Sequence, residues 1–416
     1  MLSVEDASTQ ILAEVKVLAP ETLAIGRAVG RVAAVDVVAT VTMPPWDNAS
    51  MDGYALQSAD VAPLLEGKRA TLRVVATIAA GQEAGRELVR GEAARIMTGA
   101  PVPKGADSVV RREDTDDGAE TVEVRSARDL WKNIRLSGED YRRGDTLLKR
   151  GTEIRAAHVG VLASSGFADA SVYRAPRVAI ISSGDELVGL ERFAEVRAAR
   201  KIVSSNSYSL TALTSKTGAE PLDLGIAADT PQALREKLES ARGCDLIITS
   251  AGVSVGDLDH ARDVFAALGG VQKFWKVRMR PGAPLAFGLL GGVPWLGMSG
   301  NPVSAMVSFE LFARPAIRKM MGFADVFRRT IEVVLDQDVR IAARLTHFLR
   351  AQVSVNADGS FCAHLAGNQS SGALTSMARA NALLIVPEST TVALKGSVLR
   401  ALPLDDSLAY GRKLAL

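Results

Sequence analysis

Between about residues 176 and 322, short apolar runs alternate with stretches of helical periodicity. This rhythm constrains the possible fold more than any other feature of the chain. Residues 178–181, 222–226, 245–249, 274–279, 285–290 and 293–296 read as strands. Residues 206–216 read as a helix stopped at Gly218. A second helix starts at Thr230-Pro231, with a cap and a proline at its first position, and ends near Gly243. Further helices are expected over 259–268 and 303–321, the last kinked by Pro315 and ended by Gly322. Apolar strands alternating with helices predict a doubly wound parallel sheet covered on both faces. Ligands of such sheets bind beyond the carboxyl ends of the strands.

Three loops fall at those ends. After the first strand comes Ser182-Ser183-Gly184-Asp185-Glu186-Leu187, whose small residues expose backbone N–H groups and whose two carboxylates can hold a divalent cation. After residues 245–249 comes a second loop, from Ser250 through Gly252, Ser254, Gly256, Asp257 and Asp259 to His260. The third, Gly297-Met298-Ser299-Gly300-Asn301-Pro302-Val303-Ser304, opens the last helix, where free N–H groups favour an oxyanion. Three such loops on one sheet, two of them acidic, predict an anionic ligand bridged by metal. Lys276, Arg278 and Arg280 alternate along one expected strand and so should project to one side and balance phosphate charge.

Gly252-Val253-Ser254-Val255-Gly256 also fits the G-x-S-x-G elbow of serine hydrolases, with histidines at 260, 347 and 364 downstream. The expected helix, however, starts near Asp259, later than an elbow requires. Neither a phosphate-binding P-loop nor a G-x-G-x-x-G fingerprint occurs.

The flanks are different. Residues 4–18 read as a helix capped by Ser3. Residues 55–172 are rich in short β-like runs, such as 72–78, 108–110 and 121–124, punctuated by Gly and Pro. A C-terminal β domain is expected from about 326, with strands over 330–335, 348–355, 382–386 and 397–402. The expected division is 1–50 with 130–175 as an N-terminal linking domain, 51–129 as a β-rich domain, 176–325 as the α/β domain and 326–416 as the C-terminal domain. A length of 416 residues suits several domains. Forty-nine basic side chains against 47 acidic ones give no argument for nucleic acid or an anionic membrane. Two distant cysteines, Cys244 and Cys362, make no disulfide framework, and no apolar run is long enough to span a membrane. A cytoplasmic setting is the expectation.

An ordered series of motifs runs along nearly the whole chain: Asp47 to Ala55, Met97 to Pro103, Gly138-Glu139-Asp140, Gly184-Asp185-Glu186-Leu187, Gly252 to Asp257, Phe274-Trp275-Lys276 and Gly300 to Ala305. In this series the chain resembles the molybdopterin molybdenumtransferase family, related to the E domain of gephyrin. The resemblance implies an elongated homodimer of four-domain subunits with a composite active site. It implies adenylylated molybdopterin and molybdate as substrates, a divalent cation such as Mg²⁺, and molybdenum cofactor and AMP as products. The molybdopterin adenylyltransferase of the pathway and molybdoenzyme acceptors are the implied protein partners.

By the same resemblance, Glu186 and Asp259 lie near the cation, and Asp52, Thr98, Asp140 and Asp229 take the other functional positions. Lys276 and Arg280 neutralise the anionic substrate. Ser183, Gly184, Asp185, Ser250, Gly252, Ser254, Gly256, Gly300, Asn301, Pro302, Ser304 and Ser371 contact it. Asp52 and Thr98 are implied to face the partner subunit's α/β domain. Three positions depart from the family pattern: Ser299 and Ala251 replace a proline and a glycine, and Ala283 replaces a lysine. A serine hydrolase using Ser254 and a non-catalytic, gephyrin-like dimeric scaffold are the competing readings. The intact acidic set speaks against the scaffold.

Overall fold

A computed structural model describes residues 1–83, 85–251, 261–341 and 344–410. The chain divides into two compact units, one formed by residues 1–22, 30–34 and 171–416, the other by residues 23–29 and 35–170.

The first unit holds a six-stranded sheet. Its strands are β1 (Arg177–Ser183), β2 (Glu220–Ala227), β3 (Leu246–Ser250), β4 (Val271–Trp275), β5 (Ala286–Leu290) and β6 (Val293–Met298), in the order β2-β1-β3-β6-β5-β4. The four strands β2, β1, β3 and β6 are parallel. β5 pairs antiparallel with both β6 and β4, so the expected parallel sheet is a mixed one. The reason is the connection between β5 and β6: Gly291 and Gly292 both adopt positive φ and close a tight hairpin, which only antiparallel strands allow.

Alternate residues of the apolar strands feed two cores. Val178, Ile180, Leu246 and Ile248 face one, with Leu210 of α1 (Ser205–Lys216). Ala179, Ile181 and Ile247 face the other, with Leu234 and Leu238 of α2 (Pro231–Ser240) and Phe265 of α3 (Ala261–Ala267). This is how a strand buried on both faces reads as a continuous apolar run. Thr230 caps α2 through the N–H of Ala233, as its sequence predicts. The N-terminal helix, Val4–Glu14, is capped by Ser3 at 3.0 Å and packs Ala7 and Ile11 into the first core.

The last helix changes its winding just before Pro315. It runs as Pro302–Ser308, widens into a π-helical turn over Phe309–Ala313 and resumes as Arg314–Met320. A proline lacks an N–H and clashes with the carbonyl four residues back, and the wide turn just before Pro315 relieves both. Gly322, at φ 81°, ends the helix.

The strands Ile331–Leu335, Thr346–Val355, Phe361–Leu365, Ala382–Val386 and Val398–Pro403 close on themselves as a barrel. The two-residue strand Met279–Arg280 leaves the α/β region and pairs in parallel with Thr346 and His347 of this barrel. The second unit carries a five-stranded sheet that includes Gly53–Leu56, Glu92–Ile96 and Ala70–Ile78, around Tyr54, Leu56, Leu72, Val110 and Val122.

Candidate active site

The first turn of α1 braces three strand ends. The hydroxyls of Ser204, Ser207 and Ser182, the last at the end of β1, form a buried ring with O···O distances of 2.9–3.0 Å. Asn206 donates its amide to Ser250 Oγ at 2.6 Å, at the end of β3, and to the Gly300 carbonyl at 2.8 Å, beyond β6. Ser182, Ser250 and Gly300 lie in the three loops expected from sequence, and the helix that joins them was not legible as part of a site. A short run of small polar residues, Ser204-Ser205-Asn206-Ser207, at a helix start was the available signal.

The first loop is pinned to the turn after β2. Asp185 and Asp229 each accept the other's backbone N–H, at 3.1 and 3.2 Å, and Ser183 donates to Asp229 at 3.0 Å. Asp185 and Asp229 therefore lock two loops together. Gly184 sits at φ 149°, and a Cβ there would lie 2.5 Å from Glu186 Oε2, so only glycine lets the Glu186 carboxylate fold back over the loop. Glu186 lines a cavity of about 560 Å³ with Ser183, Asn206, Ser250, Gly300 and Asn301. A neighbouring cavity of about 700 Å³, with Asp185, Arg192, Lys201, Tyr208 and Asp223 in its wall, shares Leu187 and Ser204 with it.

A larger cavity of about 800 Å³ opens between the α/β region and the barrel. Arg280, Arg340, His347 and Arg350 line it, together with Ser299, Asn301, Ser304 and Ser371. Asp338 is the one carboxylate in its wall among the described residues. Arg350 is fully buried and, among the described residues, donates to neutral oxygens only: the carbonyls of Asn368 and Ser370 at 3.2 and 3.0 Å and Ser376 Oγ at 3.2 Å. Desolvation holds its pKa down to about 10. Sequence reading missed Arg340 and Arg350, and named His347 only as a histidine downstream of Ser254.

The three cations expected on one strand face are separated. β4 ends at Trp275, and Lys276 turns to φ 69°, which breaks the alternation. Lys276 lies 4.0 Å over the Trp275 ring, with Arg262 4.2 Å from the same ring. Arg278 pairs with Glu388 at 3.2 Å, and Arg280 alone lines the large cavity. The helix start is also used differently from expectation. Pro302 has no N–H, and the Val303 N–H is taken by the Ser371 carbonyl at 3.1 Å, which holds Ser371 against this loop.

In the second unit, Thr98 donates both its N–H and its hydroxyl to Asp52 Oδ1 at 2.7 Å. The backbone bond, then the hydroxyl, holds the Asp52 carboxyl below the usual carboxylate range. Asp140 belongs to the same unit, its N–H bonded to the Met43 carbonyl at 3.2 Å. Gly252, Ser254, Gly256 and Asp259 lie outside the described residues. Of the histidines downstream of Ser254, His347 lines the large cavity and His364 pairs with Asp336 on the barrel at 3.0 Å.

The site thus joins a carboxylate over a glycine loop to a cationic cavity across a shared loop. Known proteins share this succession of domains. Residues 2–166 match the MoeA N-terminal region (domain I and II), residues 179–319 a probable molybdopterin binding domain, and residues 332–404 the MoeA C-terminal region (domain IV). The chain is 38% identical over 368 residues to the molybdopterin molybdenumtransferase of Nostoc sp., covering 87% of this chain and 84% of that relative. It is 30% identical to that of Staphylococcus epidermidis, covering 100% of this chain and 98% of the relative. The crystal structure of the molybdopterin biosynthesis moeA protein from Pyrococcus horikoshii OT3 matches with a TM-score of 0.83 at 27% identity, over 97% of this chain and 100% of that one. The sequence, the fold and these relatives agree that this chain belongs to the MoeA family of molybdopterin molybdenumtransferases.

Proposed function

We propose that the chain inserts molybdenum into adenylylated molybdopterin, taking molybdate as the oxyanion and releasing molybdenum cofactor and AMP. The observation that carries this reading is Arg350. A buried guanidinium without a carboxylate partner among the described residues is costly unless an anion meets it, and Arg280 and Arg340 line the same cavity. Ser304 and Ser371 add hydroxyls to what would be an oxyanion cage.

The adenylylated pterin fits the Glu186 cavity and its neighbour, which meet along Leu187 and Ser204. Among the described residues no cluster of three or more carboxylate, histidine or cysteine ligands stands ready for a metal. That suits Mg²⁺, which takes about one or two carboxylates and completes its shell with water and substrate phosphate. Glu186 would hold it, with Asp259 as the second carboxylate. When bound, the cation would neutralise charge on the phosphoanhydride. Asp185, Asp229 and Ser183 keep the loop beneath Glu186 in place, and Lys276 remains a candidate for substrate charge. Asp52, Thr98 and Asp140 belong to the same reading as positions that complete the site in a homodimer. A cytoplasmic setting, a four-domain division at the boundaries given above, and partnership with the adenylyltransferase and molybdoenzyme acceptors complete it. Among the described residues no helix is long and apolar enough to cross a membrane.

The test is AMP release from adenylylated molybdopterin with and without molybdate and Mg²⁺. Molybdate-dependent release is expected. Release that ignores molybdate, or none in the presence of both, overturns the reading.

A further inference from the structure

Two cavities with different contents share one wall. Ser299 and Asn301 line both the Glu186 cavity and the arginine-lined cavity, so the loop Ser299–Asn301 stands between them. The middle residue of that loop is Gly300, and the Asn206 amide holds its carbonyl at 2.8 Å. The same amide nitrogen reaches Ser250 Oγ at 2.6 Å. Asn206 is buried, with 7% exposure, and among the described residues its Oδ1 has no hydrogen-bond partner. An amide left with a buried orphan oxygen is retained at a cost, since an unmade bond there is unfavourable. The Gly300 carbonyl accepts only, so the amide cannot turn its oxygen that way without losing the bond.

We propose that Asn206 is a positioning residue for the insertion step: it sets the Ser299–Asn301 loop at the place where the oxyanion and the pterin ligand must meet. This rests on the reading that the arginine-lined cavity takes molybdate and the Glu186 cavity takes the pterin. Asn206 lines the Glu186 cavity itself, but both bonds of its amide go to the protein, to Ser250 and Gly300. It acts through Gly300, and its contribution is alignment across the shared wall. Misplacement of reacting groups by about 1 Å costs about 10²-fold in rate while leaving each binding contact in place.

The experiment compares wild type with Asn206→Ala. Molybdate alone and adenylylated molybdopterin alone are titrated by calorimetry, and kcat for AMP release is measured with both saturating. Expected are dissociation constants within about threefold of wild type and a kcat lowered by about 30- to 100-fold. An unchanged kcat, or a loss that lies wholly in either dissociation constant, overturns the proposal. Should Asn206→Ala fail to fold by circular dichroism, Asn206→Ser, which keeps a hydroxyl for Ser250 but is too short for Gly300, carries the same expectation. A wild type that binds neither substrate overturns the reading beneath it, and the inference falls with it.

Discussion

The two cavities that share the Ser299–Asn301 loop are built from opposite materials. One is walled by small polar residues and the Glu186 carboxylate at strand ends of a single sheet. The other is walled by arginines: Arg280 from a strand that has left the sheet, Arg350 from the barrel, and Arg340 from a two-stranded ribbon formed with Val392–Ala393. The first is held by many local hydrogen bonds between loops. The second exists only because two folds meet. Local braces fix a carboxylate at a set of strand ends, whereas a seam between folds concentrates positive charge that no single element could bury.

The contrast can be broken at its acidic side first. Glu186→Ala is expected to lower AMP release by about 10²–10³-fold while molybdate titrates as in wild type. A parallel loss of molybdate binding would mean that the two cavities are not separate in function. On the cationic side, Arg350→Met should weaken molybdate binding by about 10- to 100-fold, with a smaller loss in Arg350→Lys, because hydrogen bonds to charged groups are worth about 1.5–3 kcal/mol. Calorimetry with molybdate reads it; equal affinity in Arg350→Met would remove the oxyanion assignment.

A gentler change sharpens the same side. Ala283 lines the arginine cavity, so Ala283→Lys should tighten molybdate binding by about two- to fivefold. No gain would show that the existing arginines already saturate the dianion. The smallest expected effect lies in the other unit. Thr98→Val removes one of the bonds that hold Asp52 ionised, so the Asp52 carboxyl should titrate higher, nearer the usual range, in a carboxyl-detected NMR titration. Because that carboxyl is depressed in the folded state, its stabilising contribution is present above the ordinary carboxylate range and fades as pH falls through the folded value. The variant should lose that acid-side contribution. An unmoved Asp52 would leave the backbone N–H as its sole support.

Much of the strand-end cavity was legible in the sequence, because its determinants are local. Apolar runs, the Thr230-Pro231 start and the glycine in Gly184-Asp185-Glu186 each act within a few residues. The arginine cavity was largely not. Its partners come from residues 280, 340, 350 and 371, and only tertiary pairing brings them together. The alternation that seemed to align Lys276, Arg278 and Arg280 fails at one residue, where Lys276 turns onto Trp275 and the chain changes sheet. Strand periodicity cannot report such a change of partner. Asp52 and Thr98 entered through family resemblance, and the structure gives them a shared hydrogen bond that no motif spells out.

The two-residue strand Met279–Arg280 carries one more consequence. Because Arg280 is hydrogen-bonded into the barrel beside His347, an anion gripped by Arg280 and Arg350 is gripped by both folds at once. Whatever binds there and not to the separated parts must, by mass action, strengthen their union. Occupancy of the oxyanion site is therefore also a fastening, and the joint between α/β region and barrel would record the supply of oxyanion as a change in its own resistance to opening.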